Sequence, residues 1–489
     1  MHIALLVGLL SKILKKLKLI EEDIFKYTTI VLLLYLFIVG LSPSLLRGVL
    51  FYILFSLNRI YYFYIKKKNL LIFIISISLL INPNFIFDIG FQYSFLISIS
   101  LIIMSKQLVS NNYLFSLLKV SLLSFFVSIP ITLFNYYLLN VLSILHNLFF
   151  VPLVSIIIFP LSLIVFIFKP LRPIYNLFII ILENVSLLLS KIRIGKLIFK
   201  RLPLIVYLFY FFIIILFLFR KKKEYIYLIL ILLSIHYFIP YFDRSDYIKV
   251  IDVGQGDSCL LHSNNKNILI DTGGKINKEG DIFFNTIYPV LKSDGIKKID
   301  LLIISHGDFD HIGEAKTIID NFKVKKLIIN CNEINSLEKR IVNKNTIIGY
   351  QGTYFNIGDY YLIQLNEDMS DENDSSQIYL IIYNNIRMLF MGDASKKTEE
   401  LLLENYDIGK IDLLKVGHHG SNTSSGKEFI NEINPKYSII SVGKNNRYGH
   451  PNKEVLYNLK DTKIYRTDQD GSIMFKIKNN KLDIETCSP

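Results

Sequence analysis

The chain has 489 residues, 52% of them hydrophobic, long enough for two or three domains. Residues 1–244 carry 24 Lys and Arg against 7 Asp and Glu, whereas residues 245–489 carry 30 against 34, so the basic balance is no sign of a nucleic-acid patch on the second half. Cys259, Cys331 and Cys487 are odd in number, widely spaced and without a CxxC pair, which excludes a disulfide framework and a zinc ribbon.

The first apolar run, at about 3–11, ends in Lys12, Lys15, Lys16 and Lys18 rather than at a small-residue cleavage site, so no cleavable signal peptide is expected. Further apolar runs at about 26–42, 45–65, 69–82, 85–104, 113–138, 140–168, 174–190, 203–219 and 225–240 approach or reach the roughly 20 residues that cross a bilayer. The run at 69–82 is short, and 174–190 can instead lie along the surface. The pattern predicts a polytopic α-helical membrane domain over residues 1–244.

Basic clusters set the orientation. Lys12–Lys18, Lys66–Lys68, Lys106, Lys169 with Arg172, and Arg220–Lys223 share one side if every run crosses. That side is expected to be the cytoplasm, with the second half of the chain outside the membrane. The cluster Lys191, Arg193, Lys196, Lys200 and Arg201 disagrees, unless that stretch is an amphipathic surface helix. His2, Arg47, Asp88 and Gln92 are costly in lipid; they either sit at helix ends near headgroups or line a polar path.

From Tyr247 the composition becomes that of a soluble domain. Strand-like runs YIKVIDVG, NILIDTG, DLLIISH, KKLIIN, YLIIY, RMLFMGD, DLLKVGHH and YSIISVG alternate with helical patterns, for example around 311–321 and 395–405. The alternation predicts an α/β domain over residues 245–489, two sheets with helices outside. Asn366–Ser376 reads as an acidic surface loop.

Directly after DLLIIS comes Ser305-His306-Gly307-Asp308-Phe309-Asp310-His311. Two imidazoles and two carboxylates within six residues of a strand end can serve two metal ions from one short loop. A solvated turn with capping Asp residues is the bland alternative, and such a coincidence of ligand types disfavours it. Two more strands end alike: RMLFMGD delivers Asp393, able to bridge two cations, and DLLKVGHHG delivers His418 and His419. Gly420-Ser421-Asn422-Thr423-Ser424 offers hydroxyls and N–H groups suited to phosphate, or is an ordinary polar turn. His450, in NRYGHP, is a candidate acid or phosphate contact, or else a surface His before Pro451.

The order of these motifs resembles the metallo-β-lactamase fold, an αββα sandwich with the signature H-x-H-x-D-H, a bridging Asp and a late His. Asp308 stands where many members have the second His. Together with IDVGQGDS, ILIDTGG, GHHGS and YRTDQDG, this variant resembles the hydrolase domain of ComEC-type DNA-internalisation channels over residues 247–475. In the membrane half, HIALLVGLLSKILKKL, SPSLLRG and NPNFIFDIGFQYSF resemble the competence domain of the same channels, which implies passage of one DNA strand. The sequence starts inside the first of these motifs, so a truncated gene, a misassigned start or an N-terminally shortened relative is expected.

The resemblance implies that His306 and Asp308 hold one metal, Asp310 and His311 the other, with Asp393 bridging and His418, preferred over His419 as first off the strand, joining the second site. A third His for the first site has no evident place. The carboxylate-rich shell lets Mn²⁺ or Mg²⁺ compete with Zn²⁺. Two such cations, about 3.5–4 Å apart, activate a shared water and clamp phosphate oxygens. Asp310, His419 and His450 are the candidate catalytic residues, and Ser421, Asn422 and Thr423 the candidate substrate contacts. Asp271 is expected to orient ligands; Asp252, Gln255 and Asp257 are expected to be strand-end scaffolding.

The expected whole is a DNA-uptake channel component of the bacterial inner membrane, its hydrolase domain outside the cytoplasm degrading one strand of incoming DNA. Its expected partners are DNA, the lipid bilayer and other DNA-uptake proteins. Two other readings stay open: a channel with a catalytically inactive DNA-binding domain, and a membrane-tethered metallohydrolase of another ester. The acidic balance of the second half leaves the last one room, since nonspecific DNA binding relies on Lys and Arg.

Overall fold

A computed structural model describes residues 2–190, 192, 194–275, 280–330, 334–365, 371 and 373–487. Cys331, Lys191, Arg193 and residues 366–370 and 372 of the acidic loop lie outside the described residues, as does the His2 side chain. The chain divides into two compact units, Met1–His236 and Tyr237–Pro489.

The first unit is helical. Every apolar run of the sequence becomes a helix, among them Glu21–Val39, Pro43–Ile60, Lys67–Ile81, Ile89–Ile103 and Leu204–Arg220. Among the described residues, four stretches, Tyr113–Tyr136, Ser143–Ile167, Lys169–Ser190 and Glu224–Phe242, are long and apolar enough to cross a membrane. Large apolar side chains stay outside: Phe37, Phe166 and Ile167 are each more than 85% exposed, a surface that suits lipid rather than water.

The polar residues of this unit are placed by specific bonds. Asp88 caps the helix Ile89–Ile103, its Oδ1 accepting the Phe91 N–H at 2.7 Å. Arg47 Nε donates to Ser94 Oγ at 2.6 Å, tying the helix Pro43–Ile60 to Ile89–Ile103. Gln92 donates to the Ile86 carbonyl. A small antiparallel pair, β1 (Leu138–Asn140) and β2 (Lys196–Ile198), places Lys196 in a strand rather than in an amphipathic helix.

The second unit is built on two sheets. One is formed by β3 (Asp246–Val250), β4 (Cys259–Ser263), β5 (Lys266–Ile270), β6 (Ile299–Ile303), β7 (Val324–Ile329), β8 (Thr346–Ile348), β16 (Ser472–Lys478) and β17 (Lys481–Cys487), in the order β17-β16-β3-β4-β5-β6-β7-β8. The other is formed by β9 (Tyr354–Ile357), β10 (Tyr360–Gln364), β11 (Tyr379–Tyr383), β12 (Ile386–Phe390), β13 (Leu413–Lys415), β14 (Tyr437–Ile440) and β15 (Lys463–Arg466), in the reverse of chain order. Strands β5 to β8 are parallel, as are β12 to β15.

The period-2 geometry of a strand explains why these runs are apolar throughout. Met388 and Phe390 of β12 enter the core between the sheets with Ile303, Ile328 and Val250. Leu389 and Met391 point the other way, into a second core with Leu402, Phe429, Ile433 and Val455 from the helices Lys396–Asn405, Lys427–Ile433 and Lys453–Asn458. Leu413 and Leu414 of β13 divide in the same manner, as do Ile439 and Ile440 of β14. Strands buried on both faces read as continuous hydrophobic runs, and polar residues gather at their ends. Cys259, in β4, is buried and Cys487 exposed, both as free thiols.

Candidate metal centre

The C-terminal ends of β5, β6, β12 and β13 carry Asp271, Ser305-His306, Asp393 and His418-His419. Ligands gather at such ends in open α/β sheets. A Gly at 392 in the left-handed region (φ +54°) turns the chain after β12 beneath Ser376, and Ser376 Oγ accepts the Asp393 N–H at 3.1 Å.

Asp393 is the hub. Its Oδ1 lies 3.3 Å from His311 Nε2, and its Oδ2 lies 3.9 Å from His306 Nε2, 3.8 Å from His419 Nε2 and 3.9 Å from His418 Nε2. Asp310 Oδ2 is 3.2 Å from His419 Nε2, and Asp308 Oδ2 is 3.6 Å from His306 Nε2. The His306 and His311 rings lie 4.1 Å apart between centroids. Two sets of donor atoms, from His306, His311 and Asp393 and from Asp310, His311 and His419, each fall within 4.8 Å of one another.

The fit to a cation rests on three buried ligand-type atoms. Among the described residues His306 Nε2 is buried without a hydrogen bond, and buried His311 Nε2 and Asp393 Oδ1 meet only each other, as an ion pair at 3.3 Å. An orphaned buried polar atom costs about 1–3 kcal/mol, and one such atom beside a buried imidazole–carboxylate pair is what a divalent ion satisfies. The opposite ring nitrogens are already taken. His311 Nδ1 bonds Asp271 Oδ2 at 2.9 Å, and His306 Nδ1 meets Ser305 Oγ at 3.0 Å. Asp271 also accepts from Ser305 N at 2.7 Å and Ser305 Oγ at 2.8 Å. Fixing Nδ1 in this way presents Nε2 to a metal.

Electrostatics without the ion points the same way. Burial works against charge on His311, but the carboxylates of Asp393 and Asp271 hold it well above the usual imidazole range. His419 is likewise raised against burial by Asp393 and its bond to Asp310. Burial would raise Asp393 and Asp310, yet the same imidazoles hold Asp393 well below the usual carboxylate range and Asp310 at about 2. These rings hold protons where a cation can stand instead.

Residues 1–224 match the family model described as Competence protein, and residues 251–330 the one described as Metallo-beta-lactamase superfamily. The chain joins a competence-protein domain to a metallo-β-lactamase domain. It is 28% identical to ComE operon protein 3 of Bacillus subtilis over 98% of this chain and 67% of that protein. It is 31% identical to Recombination protein 2 of Haemophilus influenzae over 49% of this chain and 30% of that one. Competence protein ComA of Neisseria gonorrhoeae is 30% identical over 47% of this chain and 32% of its own length.

In the metallo-β-lactamase domain, the chain gathers His306, Asp310, His311, Asp393 and His419, with Asp308 3.6 Å from His306 and His418 3.9 Å from Asp393 at the edge. His418 and His419 both occupy the left-handed region (φ 47° and 53°), and the turn sends them different ways. His419 is buried, with Nδ1 on the Ser441 carbonyl at 2.9 Å. His418 stays partly exposed, its Nδ1 3.0 Å from Thr423 Oγ1. His450 stands 6.1 Å from His418 between ring centroids, and burial, followed by the charges of His419 and His418, lowers its pKa. Asn422 and Thr423 are exposed beside His418, and Ser421 is buried behind them.

Sequence reasoning missed Lys415. Its Nζ donates to Asp257 Oδ2 at 2.8 Å, both groups being buried, and Asp257 Oδ1 comes 3.9 Å from His419 Nδ1. Asp257 therefore does more than end a strand: it carries charge to the floor of the centre. The segment around it also closes on the metal loop. Asp257 N–H donates to the Asp310 carbonyl at 3.2 Å, and a Cβ on Gly256 would run into that same carbonyl. A Lys inside an apolar strand was the available signal, since an interior Lys demands a partner.

Proposed function

We propose that this chain is a DNA-uptake protein of the bacterial inner membrane whose second unit is a metal-dependent phosphodiesterase cutting one strand of incoming DNA outside the cytoplasm. The observation that carries the hydrolase reading is the convergence of three buried ligand-type atoms, His306 Nε2, His311 Nε2 and Asp393 Oδ1, of which the first makes no hydrogen bond among the described residues. The DNA reading rests on the competence-protein match over residues 1–224 and on the names of the relatives.

In this reading His306 and Asp308 would hold one divalent cation and Asp310, His311 and His419 a second, with Asp393 a carboxylate ligand available to both sets. His418, 3.9 Å from Asp393, is the alternative ligand to His419. Such cations supply an activated water and a clamp on phosphate oxygens, and the carboxylate share of the shell favours Mn²⁺ or Mg²⁺ beside Zn²⁺. The chain's own groups do the rest. Asp271 and Ser305 hold the His311 and His306 rings in register. The Asp257–Lys415 pair supports His419 from below.

Asn422 and Thr423, exposed beside His418, offer polar contacts for a phosphodiester, with Ser421 bracing Thr423. His450 has a lowered pKa, so at neutral pH it contacts phosphate as a neutral imidazole rather than serving as a ready proton donor.

The test uses the full chain in detergent with Mn²⁺, single-stranded DNA, duplex DNA and a small phosphodiester. Cleavage of DNA that is lost on chelation and in the Asp310→Ala, Asp393→Ala double variant is expected. Cleavage persisting in that variant sinks the assignment. Uptake indifferent to His306→Ala would instead favour a non-cutting channel.

A further inference from the structure

Away from the metal centre, the second unit holds a cavity of about 250 Å³ whose walls include Tyr241, His262, Asp294, Lys297, Lys298 and Lys323. Its charge balance runs against the acidic average of this half of the chain. Of the two carboxylates in the wall, Asp243 and Asp294, Asp294 is already engaged by Lys249 and by the Tyr247 hydroxyl at 3.1 Å. Lys298 shares Asp300 with Lys325.

Lys297 and Lys323 form no ion pair among the described residues. Lys297 Nζ instead sits over the rings of Tyr237 and Tyr241, 3.3 and 4.4 Å from their centroids, and donates to the Tyr237 carbonyl at 3.0 Å. Burial lowers its pKa to about 8, a shift that a neighbouring anion reverses. His262, 4% exposed, adds an unsatisfied group. Its Nδ1 meets Asn267 Oδ1 at 2.7 Å, and its Nε2 has no hydrogen-bond partner among the described residues.

Where the cavity lies along the chain selects the ligand. Pro240 and Tyr241, in its wall, are among the last residues of the apolar stretch Glu224–Phe242. Phe238, Tyr241 and Phe242 there remain 52%, 52% and 81% exposed, in the manner of the aromatic belts found at headgroup depth. Lysines near a bilayer surface are drawn to anionic headgroups, and three of them supply point charges suited to one phosphate.

We propose that this cavity binds the phosphate of an anionic lipid headgroup, with Lys297, Lys298 and Lys323 as its cationic wall. The lipid then anchors the metallo-β-lactamase domain at the membrane surface. Free phosphate offers the same chemistry without the aromatic belt, and single-stranded DNA is a different occupant.

The full chain is placed in nanodiscs of phosphatidylethanolamine with added phosphatidylglycerol, and acetylation of Lys297 and Lys323 is followed by mass spectrometry. Phosphatidylglycerol is expected to slow acetylation of both lysines at least fivefold relative to phosphatidylethanolamine alone. Native mass spectrometry after mild extraction should show phosphatidylglycerol retained by the wild type and by Lys297→Arg with Lys323→Arg. It should be lost from Lys297→Gln with Lys323→Gln. Equal acetylation in both lipids overturns the proposal without any variant. So does equal protection by millimolar inorganic phosphate or glycerol phosphate, or displacement of the lipid by single-stranded DNA.

Discussion

His311 Nδ1 bonds Asp271 Oδ2 at 2.9 Å, and this contact leaves Nε2 of the same ring 3.3 Å from Asp393 Oδ1. Asp271 itself occupies the left-handed region, φ 59°, a conformation that costs about 1–3 kcal/mol in a residue other than Gly. The strain places one carboxylate where it accepts from both Ser305 and His311. Removing it with Asp271→Ala should weaken divalent-metal affinity by roughly 10–100-fold, read by competition with a chelating dye. Unchanged affinity would show that the ring needs no such holder.

The Asp257–Lys415 pair is buried beneath His419. Breaking a buried pair from one side leaves an uncompensated charge, at about 3–5 kcal/mol. Lys415→Met should therefore lower the unfolding free energy of the 237–489 unit by that order. Lys415→Met with Asp257→Asn should recover part of it. Denaturant titration measures both, and a single variant as stable as the parent contradicts the pairing.

Metal binding should depend on pH in a definite direction. His311 and His419 lose ground to burial, but Asp393, with Asp271 for the first and Asp310 for the second, raises both. Folded-state values above the ordinary 6.5 or so mean that the metal-free chain draws stability from these rings below that pH. It loses that stability as pH rises through the raised values. Metal affinity runs the other way, climbing with pH as the protons leave. Calorimetric titration of Mn²⁺ in buffers of different ionisation heat should show proton release at pH 7, and binding with no proton release would refute the shift.

The two late histidines should differ. His419 is buried against Asp310 and Asp393, and His418 is partly exposed and bonded to Thr423. His419→Ala should thus lose more metal affinity than His418→Ala, whereas His418→Ala should chiefly alter the KM for DNA. The reverse order of affinities would make His418 the ligand.

What was legible in the sequence was local. An apolar strand followed at once by ligand-type residues needs no long-range information, so the ends of β6, β12 and β13 were visible as SHGDFDH, GD and GHHG. The alternation of Met388 and Phe390 with Leu389 and Met391 was hidden, because a strand buried on both faces shows no period. Lys415 and Asp257 lie 158 residues apart, and only the closure of the two sheets on each other makes them neighbours. Order off the strand favours His418 and burial favours His419; two consecutive left-handed residues send the rings different ways, which order does not reveal, and both rings stay within 3.9 Å of Asp393.

The count of bound divalent ions tests the centre most directly. Full chain loaded with Mn²⁺, desalted and weighed by native mass spectrometry should carry two ions, and the Asp393→Ala variant should carry none or one weakly held. A wild-type chain that emerges free of metal, or a variant that keeps the full complement, would contradict an ion-binding centre gathered around Asp393.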